Sequence, residues 1–368
     1  MKKKLTILIL IIFILNSFSC KNFNDHYQNE YMNNDNKIES EDNNKFLVEE
    51  TTVLKTEESK KEFSKNTNDY NLLSIEEKME RLLTLDTESP KEFNENKIFN
   101  DVKEYPKVDG STALLPLMAK IMENTCGINE DYSKELTTCS KTAGAWLNLA
   151  EGSKDLLIVG NIPEEIKYEI IDDYNSRYKY KEFLYTPIRR EGLIFIVNKD
   201  NPVDSLTEQQ LIDIYTGKIT NWKDIGGDDV EIKAFQRNEN SGSQTYFLNL
   251  LMKDVVPTKA EVDMYIPSMG GLIESIASYD NSKNAIGYSV FYYATYMYAN
   301  DDLKMIKVNG IEPSNETIAN GSYPLVTESL LAIRKDEDKN SSTYKLYDYI
   351  KSNKGREIIR NLGYVPVE

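Results

Sequence analysis

The sequence predicts an α/β fold, because short apolar strands alternate with helices through most of the chain. Residues 156–159 and 193–197 are short apolar runs bounded by polar residues, which is the pattern of buried strands. Residues 206–215 have the apolar spacing of a helix, and a strand over 325–333 precedes a helix over 342–361. Such alternation places loops at the strand ends, where α/β proteins bind their ligands.

The composition of the 368 residues limits the partners and the chemistry of the protein. A formal net charge of −16 and a pI near 4.8 argue against nucleic acid and against an anionic membrane surface as partners. The one histidine, His26, lies in a segment that we expect to be unfolded. The folded part of the chain would therefore lack the histidine that Ser-His catalysis needs and that zinc sites commonly use. We therefore expect no metal, no cofactor and no enzymatic activity.

The N-terminus has the features of an export signal. Lysines at 2–4 precede an apolar run over 5–15 that is too short for a good membrane-spanning helix, and Cys20 follows. The segment 1–19 resembles a bacterial lipoprotein signal that would make Cys20 the lipid-anchored residue, although Ser17 stands where leucine is usual. An uncleaved membrane anchor is the alternative. Both place the rest of the chain on the extracytoplasmic face of the cell membrane.

Residues 20–104 are expected to form a disordered tether. They are acidic and rich in asparagine, and they hold too little apolar area to offset the entropy that folding would remove. Within them, residues 72–85 have the apolar spacing of a helix, and the sequence leaves open whether this helix packs on the folded domain.

The export signal makes a disulfide between Cys126 and Cys139 feasible, because exported proteins can keep disulfides. Closing that loop would stabilise the fold by roughly 3 kcal/mol. The alternative is a pair of buried free thiols that behave as small apolar side chains.

One polar junction stands out in the folded region. Residues 230–235 alternate like a half-buried strand, Arg237 stands at the strand exit, and a Ser-Gly-Ser turn at 241–243 leads into a helix over 246–252. A helix start leaves backbone N–H groups without partners, and the hydroxyls and the guanidinium beside it can add donors for an oxyanion. A capped helix next to a surface arginine is the alternative.

A second junction of the same kind lies earlier in the chain. A short strand ends at Asp109-Gly110, Ser111 and Thr112 follow, and an apolar helix continues over 114–122. Capping of this helix by Ser111 or Thr112 is the ordinary explanation. Two such junctions in one chain favour a shared site that binds an oxyanion with neutral donors and one arginine.

Together these segments resemble the substrate-binding protein family of the bacterial phosphate ABC transporter, the PstS type. The resemblance covers residues 105–363 and rests on four motifs that occur in the family's order. The motifs are Asp109-Gly110-Ser111-Thr112, Leu206-Thr207 with the segment 214–222, Arg237 with Ser241-Gly242-Ser243, and Ala285-Ile286-Gly287-Tyr288. By the same resemblance, Trp222 and Tyr288 would be structural residues.

The resemblance implies a two-lobed fold of the type II periplasmic-binding-protein class, in which the chain crosses twice between the lobes. Lobe 1 would consist of residues 105–187 and 290–368, and lobe 2 of residues 188–289. Inorganic phosphate, or another tetrahedral oxyanion, would lie between the lobes, and a monomeric lipid-anchored receptor would deliver it to the permease subunits of an ABC importer. The ligand-binding residues would be Ser111, Thr112, Ala113, Thr142, Arg237, Ser241, Gly242 and Ser243.

One departure from the family concerns the choice of ion. Where the family has an aspartate that accepts the hydrogen of monohydrogen phosphate and repels sulfate, this chain has Gly160, followed by Asn161. A preference for phosphate over sulfate is therefore unsupported unless another carboxylate of the chain, for example Asp109, Glu164 or Glu165, takes that place. The alternative for these three residues is a solvated surface carboxylate.

Two other functions stay open. A surface or sensory lipoprotein with altered or lost oxyanion specificity would keep the lobes and the tether. A phosphatase that uses Ser111 or Ser243 as a nucleophile would need an activating base, and the sequence offers none that is obvious.

Overall fold

The computed structural model describes residues 97–173, 176–239, 241–253, 255–261, 264–266, 268–278 and 282–367. The expected signal peptide, the lipidation site Cys20 and the tether as far as residue 96, with its expected helix, lie outside these residues. Within the described part of the chain, no helix is both long enough and apolar enough to cross a bilayer.

Strands and helices alternate through the described chain, which confirms the predicted α/β class. The strands are β1 (Val108–Gly110), β2 (Leu156–Val159), β3 (Phe183–Asn198), β4 (Ser205–Leu206), β5 (Lys233–Ala234), β6 (Gln236–Arg237), β7 (Tyr265–Ile266), β8 (Ala285–Val290), β9 (Leu303–Met305), β10 (Lys307–Val308), β11 (Val326–Arg334) and β12 (Val365–Pro366). The α-helices are α1 (Leu115–Cys126), α2 (Glu130–Leu136), α3 (Lys141–Glu151), α4 (Glu164–Lys167), α5 (Glu208–Tyr215), α6 (Gly242–Tyr246), α7 (Met269–Ser278), α8 (Asn315–Ala319), α9 (Ser342–Lys351) and α10 (Asn353–Asn361). The 3-10 turns are Val102–Glu104, Thr112–Leu114, Trp222–Ile225 and Ser282–Asn284, and the π-helical turns are Tyr168–Asp172, Phe247–Met252 and Tyr293–Met297.

A mixed eight-stranded sheet forms the centre of the fold. Its strands follow the order β1-β2-β11-β3-β8-β5, and β9 and β12 also pair with β3. The N-terminal part of β3 pairs with β11 as far as Gly192, and its C-terminal part pairs with β8 from Leu193 onwards. The chain therefore passes from one half of the sheet to the other within this single strand.

Three hydrophobic clusters cover the two halves of the sheet, two in lobe 1 and one in lobe 2. In lobe 1, α1, α9 and α10 pack against one face of β2 and β11, and α3 covers the opposite face through Trp146. In lobe 2, α5 and α7 pack against β8 and the C-terminal part of β3 around Phe195. Trp222 and Tyr288 are both buried in the lobe 2 core, as the sequence led us to expect.

The lobe boundaries differ from the expected ones at three places. Residues 188–192 of β3 were expected in lobe 2, but they pair with β11, and Ile188 is buried in the lobe 1 core. Phe99 and Val102 are buried in the lobe 1 core, so the folded unit already includes residues that were expected to belong to the tether. Residues 303–325 were expected in lobe 1, but β9 pairs with β3 there and Tyr323 is buried in the lobe 2 core. The reason is that the chain touches the lobe 1 core at Tyr292 and then returns to lobe 2 before β11 leads back.

Cys126 and Cys139 are free thiols in the structure, so the disulfide that the sequence left open is not formed. Cys126 is buried in the last turn of α1, and burial raises its pKa to about 12. The Cys139 sulfur lies 3.8 Å from the Thr112 hydroxyl. A thiol with a raised pKa stays protonated at neutral pH, and Cys126 therefore behaves as a small apolar side chain.

Candidate functional site

The first junction is built on a close approach between β1 and β2. Gly110 pairs with Ile158, and a Cβ at position 110 would overlap the Ile158 carbonyl oxygen, so the approach requires glycine. The buried Asp109 carboxylate accepts the backbone N–H groups of Gly110 at 2.8 Å and Ser140 at 2.7 Å, and the side-chain amide of Asn148 at 2.9 Å. Asp109 thus ties the start of α3 to the end of β1.

The hydroxyl of Ser111, which follows Gly110, faces the hydroxyl of Thr142 at the start of α3. The oxygens of Ser111 and Thr142 lie 3.0 Å apart, and the Ser111 oxygen also accepts the backbone N–H of Gly160 at 3.1 Å. Ser111 precedes the 3-10 turn that leads into α1, but its side chain makes no capping hydrogen bond there. The ordinary explanation, that this hydroxyl serves to cap the helix, is therefore wrong for Ser111.

The second junction is the turn between β6 and α6. Ser241 caps α6, because its hydroxyl oxygen accepts the backbone N–H of Gln244 at 3.2 Å, so the capping interpretation holds here. A Cβ at Gly242 would lie 2.5 Å from the Thr142 hydroxyl, which places the start of α6 directly against the start of α3. The two junctions therefore meet face to face, and glycine at 242 allows the close approach.

Arg237 is a buried cation rather than a surface arginine, with 3% of its surface exposed. Its backbone N–H donates to the Tyr288 phenol at 3.0 Å, its Nε donates to the Ile266 carbonyl at 3.0 Å, and its Nη1 lies 3.5 Å from the Ser243 hydroxyl. Burial lowers the pKa of the guanidinium to about 10, and the Tyr288 phenol acts in the opposite direction. At neutral pH the group stays protonated and holds a desolvated positive charge in place.

A cleft with a volume of about 390 Å³ lies beside this contact and is lined by residues of both junctions. Every residue that the sequence predicted for ligand binding lines it. These residues are Ser111, Thr112, Ala113 and Thr142 from the first side, and Arg237, Ser241, Gly242 and Ser243 from the second. The arrangement offers hydroxyls, helix-start amides and one guanidinium to a small anion, all of which are hydrogen-bond donors.

A buried ion pair that the sequence analysis did not identify also lines the cleft. Arg189 and Glu191 pair on β3 with 2% of each side chain exposed, and Arg189 Nε donates to the Ser329 hydroxyl at 3.1 Å. Glu191 also accepts the backbone N–H groups of Gly192 at 3.0 Å and Tyr292 at 3.2 Å. The charged residues within the otherwise apolar sequence of β3 were the signal that could have revealed this pair.

The start of α7 and a strained residue complete the walls of the cleft. Met269, Gly270 and Glu274 line it from α7, whose glycines were visible in the sequence but were not connected with the site. Lys141 also lines the cleft and has a φ of 62°, a left-handed conformation that is unusual for a residue with a side chain. Backbone strain of this kind is common where a binding site holds a loop in place.

The position beside Gly160 is filled by a phenol. A Cβ at Gly160 would lie 2.5 Å from the hydroxyl of Tyr246, the last residue of α6. Asp109 is held by its three N–H partners, and Glu164 and Glu165 are exposed on α4 and are not among the residues that line the cleft. None of these three carboxylates, which the sequence offered as replacements for the missing aspartate, is among the residues that line the cleft.

This architecture, two lobes around a cleft lined by hydroxyls, backbone amides and charged side chains, is that of a solute-binding protein. A family model described as the PBP superfamily domain matches residues 100–353. The phosphate-binding protein PstS of Staphylococcus saprophyticus is 30% identical over 254 residues, which cover 67% of this chain and 74% of that protein. PstS of Bacillus subtilis is 24% identical over 264 residues, which cover 71% of this chain and 80% of that protein. The chain belongs to the PstS family of the PBP superfamily.

Solved structures agree with this assignment. A Clostridium perfringens protein described as a phosphate ABC transporter substrate-binding protein, with phosphate bound, superposes with a TM-score of 0.54 at 25% identity, over 71% of this chain and 98% of that one. A phosphate transport receptor of Vibrio cholerae superposes with a TM-score of 0.52 at 23% identity, over 70% of this chain and 98% of that one. The second likeness shows the shared fold.

Proposed function

We propose that this protein captures inorganic phosphate between its two lobes and delivers it to an ABC importer. The names of the PstS relatives and the phosphate bound to the Clostridium perfringens neighbour support this proposal. The observation that carries it is the convergence of two distant junctions on one cleft beside the buried Arg237 guanidinium. The protein acts on the extracytoplasmic face of the cell membrane as a monomer, and Cys20 carries the lipid anchor.

The ion would be held almost entirely by hydrogen-bond donors. Ser111, Thr112 and Thr142 supply hydroxyls from lobe 1, and Ser243 supplies one from lobe 2, while the start of α6 supplies backbone N–H groups. Arg237 adds the positive charge, and because this charge is already desolvated, a bound anion gains the full strength of the interaction in a site of low dielectric. Local donors of this kind can capture an anion despite the net charge of −16.

Capture would couple to closure of the lobes. Strands β3 and β11 connect the lobes, and the start of α6 touches the start of α3 at Gly242 and Thr142. An ion that contacts both sides binds the closed arrangement better than an open one, and it therefore shifts the population towards closure.

We infer that the cleft binds its ligand without transforming it. The candidate nucleophiles are Ser111 and Ser243, and their oxygens contact the Gly160 N–H, the Thr142 hydroxyl and the Arg237 guanidinium. None of these groups is a general base, so nothing among these contacts would remove the proton from either serine.

Isothermal titration calorimetry on the full chain, purified in detergent, tests the proposal. We expect one phosphate to bind per chain and reconstituted importer vesicles to take up phosphate only when the protein is present. Absence of binding heat and of phosphate protection against thermal unfolding would contradict the proposed ligand.

A further inference from the structure

We propose that Tyr246 determines which anions the cleft accepts, by presenting a hydrogen-bond donor where a carboxylate acceptor would exclude fully ionised ions. The site would then bind sulfate as well as phosphate. This inference rests on the proposed function and specifies the selectivity of the same cleft.

The geometry puts the Tyr246 phenol in the position that matters. Tyr246 lines the cleft, only 6% of its surface is exposed, and its hydroxyl lies where a side chain at position 160 would otherwise extend. A Cβ at Gly160 would come within 2.5 Å of that hydroxyl, so the phenol of Tyr246 can occupy this position because residue 160 is glycine. The pair replaces an acidic side chain by a neutral phenol.

The Tyr246 phenol can donate its hydrogen to an anion in the cleft, because it lines the cleft and a protonated phenol carries one O–H donor. Burial raises the pKa of Tyr246 to about 12, so the phenol stays protonated at neutral pH.

Two carboxylates that line the cleft, those of Glu191 and Glu274, differ in whether they can accept the hydrogen of monohydrogen phosphate. Glu191 is occupied by Arg189 and by the N–H groups of Gly192 and Tyr292, which use most of its lone pairs. Glu274 lines the cleft but is exposed, and it accepts a hydrogen bond from the Tyr298 phenol. Glu274 is therefore the competing candidate for an acceptor, and the experiment must distinguish it from Tyr246.

Sulfate and monohydrogen phosphate need different hydrogen-bond partners from the protein. Sulfate presents four unprotonated oxygens, whereas monohydrogen phosphate presents three and one hydroxyl that needs an acceptor. A buried acceptor in a binding site weakens the binding of a ligand that has no hydrogen to donate to it, by roughly four to five orders of magnitude. A donor at Tyr246 removes that basis for rejection, so we expect sulfate to displace phosphate at less than a thousandfold excess.

Calorimetry with inorganic phosphate and inorganic sulfate on the full chain tests this inference. Tyr246→Phe should weaken sulfate binding by roughly ten- to a hundredfold, because one hydrogen bond to a charged group is lost. Tyr323→Phe is the matched control, since the Tyr323 phenol donates to the Leu193 carbonyl at 2.9 Å in the lobe 2 core. The control should leave both affinities unchanged.

The outcomes separate this inference from the proposed function. Phosphate binding that sulfate fails to displace at a thousandfold excess overturns the inference and leaves the function standing, and this measurement needs no variant. Gain of sulfate binding in Glu274→Gln would assign the selectivity to Glu274 instead. An unchanged sulfate affinity in Tyr246→Phe would also overturn the inference, whereas failure to bind either anion overturns the function itself.

Discussion

Replacing Arg237 by methionine removes the buried positive charge and keeps an apolar side chain that can occupy part of its volume. Truncating one partner of a buried, hydrogen-bonded charge pair lowers the free energy of binding by about 2–5 kcal/mol. This loss corresponds to a dissociation constant that is roughly 30- to 4,000-fold larger. Arg237 is 3% exposed and its pKa is already lowered by burial, so the cost of desolvating the charge is met on folding rather than on binding. We therefore expect Arg237→Met to fall in the upper half of that range.

Calorimetry with phosphate measures the loss, and thermal unfolding of the unliganded protein shows whether the variant is folded. Removing a buried charge should leave the free energy of unfolding similar or slightly higher, so unfolding would not explain a lost affinity. Arg334→Met is the matched control, because the Arg334 guanidinium bonds Asp155 and Glu337 instead of lining the cleft. A weakening of about threefold or less in Arg237→Met, under 1 kcal/mol, would refute the assignment of Arg237.

Three further predictions concern charge and packing around the site. Phosphate affinity should fall as the pH rises above about 10, because the Arg237 guanidinium then loses the proton that a bound anion favours. In Arg237→Lys the fall in phosphate affinity should begin at lower pH, and phosphate titrations at a series of pH values measure both effects. Glu191→Ala should lower the free energy of unfolding by about 3–5 kcal/mol, because it leaves the Arg189 charge buried and unpaired. Replacing both residues by apolar ones should lower the free energy of unfolding less. Thermal melts compare the two variants, and equal losses of stability would contradict this explanation. Gly110→Ala should lower the free energy of unfolding, measured with urea, by about 1–3 kcal/mol, because its methyl group would overlap the Ile158 carbonyl. An unchanged urea midpoint would show that β1 can move away from Ile158.

The two junctions were predictable because their chemistry is local. Ser111 follows a strand and precedes a helix, and the same holds for the turn around Gly242, so backbone donors and hydroxyls at these points follow from sequence order alone. The alternative of simple capping could not be decided in the same way. In the structure Ser241 caps its helix and Ser111 does not, although both line the cleft.

The lobe boundaries were harder to predict because they depend on which core a segment joins. Residues 303–325 contain ordinary short strands and a short helix that would suit either lobe. Pairing of β9 with β3 places them in lobe 2, and that pairing joins residues about a hundred positions apart. Phe99 likewise gave no local sign of folding, because its burial depends on contact with the lobe 1 core.

The α/β class, the family and eight of the residues that line the cleft were predictable from the sequence, because each follows from a short-range pattern or from motifs in a set order. What fills the space beside Gly160 follows from tertiary packing, since Tyr246 reaches it from the opposite lobe across the cleft. The buried pair of Arg189 and Glu191 at the cleft wall likewise becomes visible only in the folded chain. Selectivity among anions depends on which polar groups meet in the cleft, and these groups are brought together by contacts between distant parts of the chain.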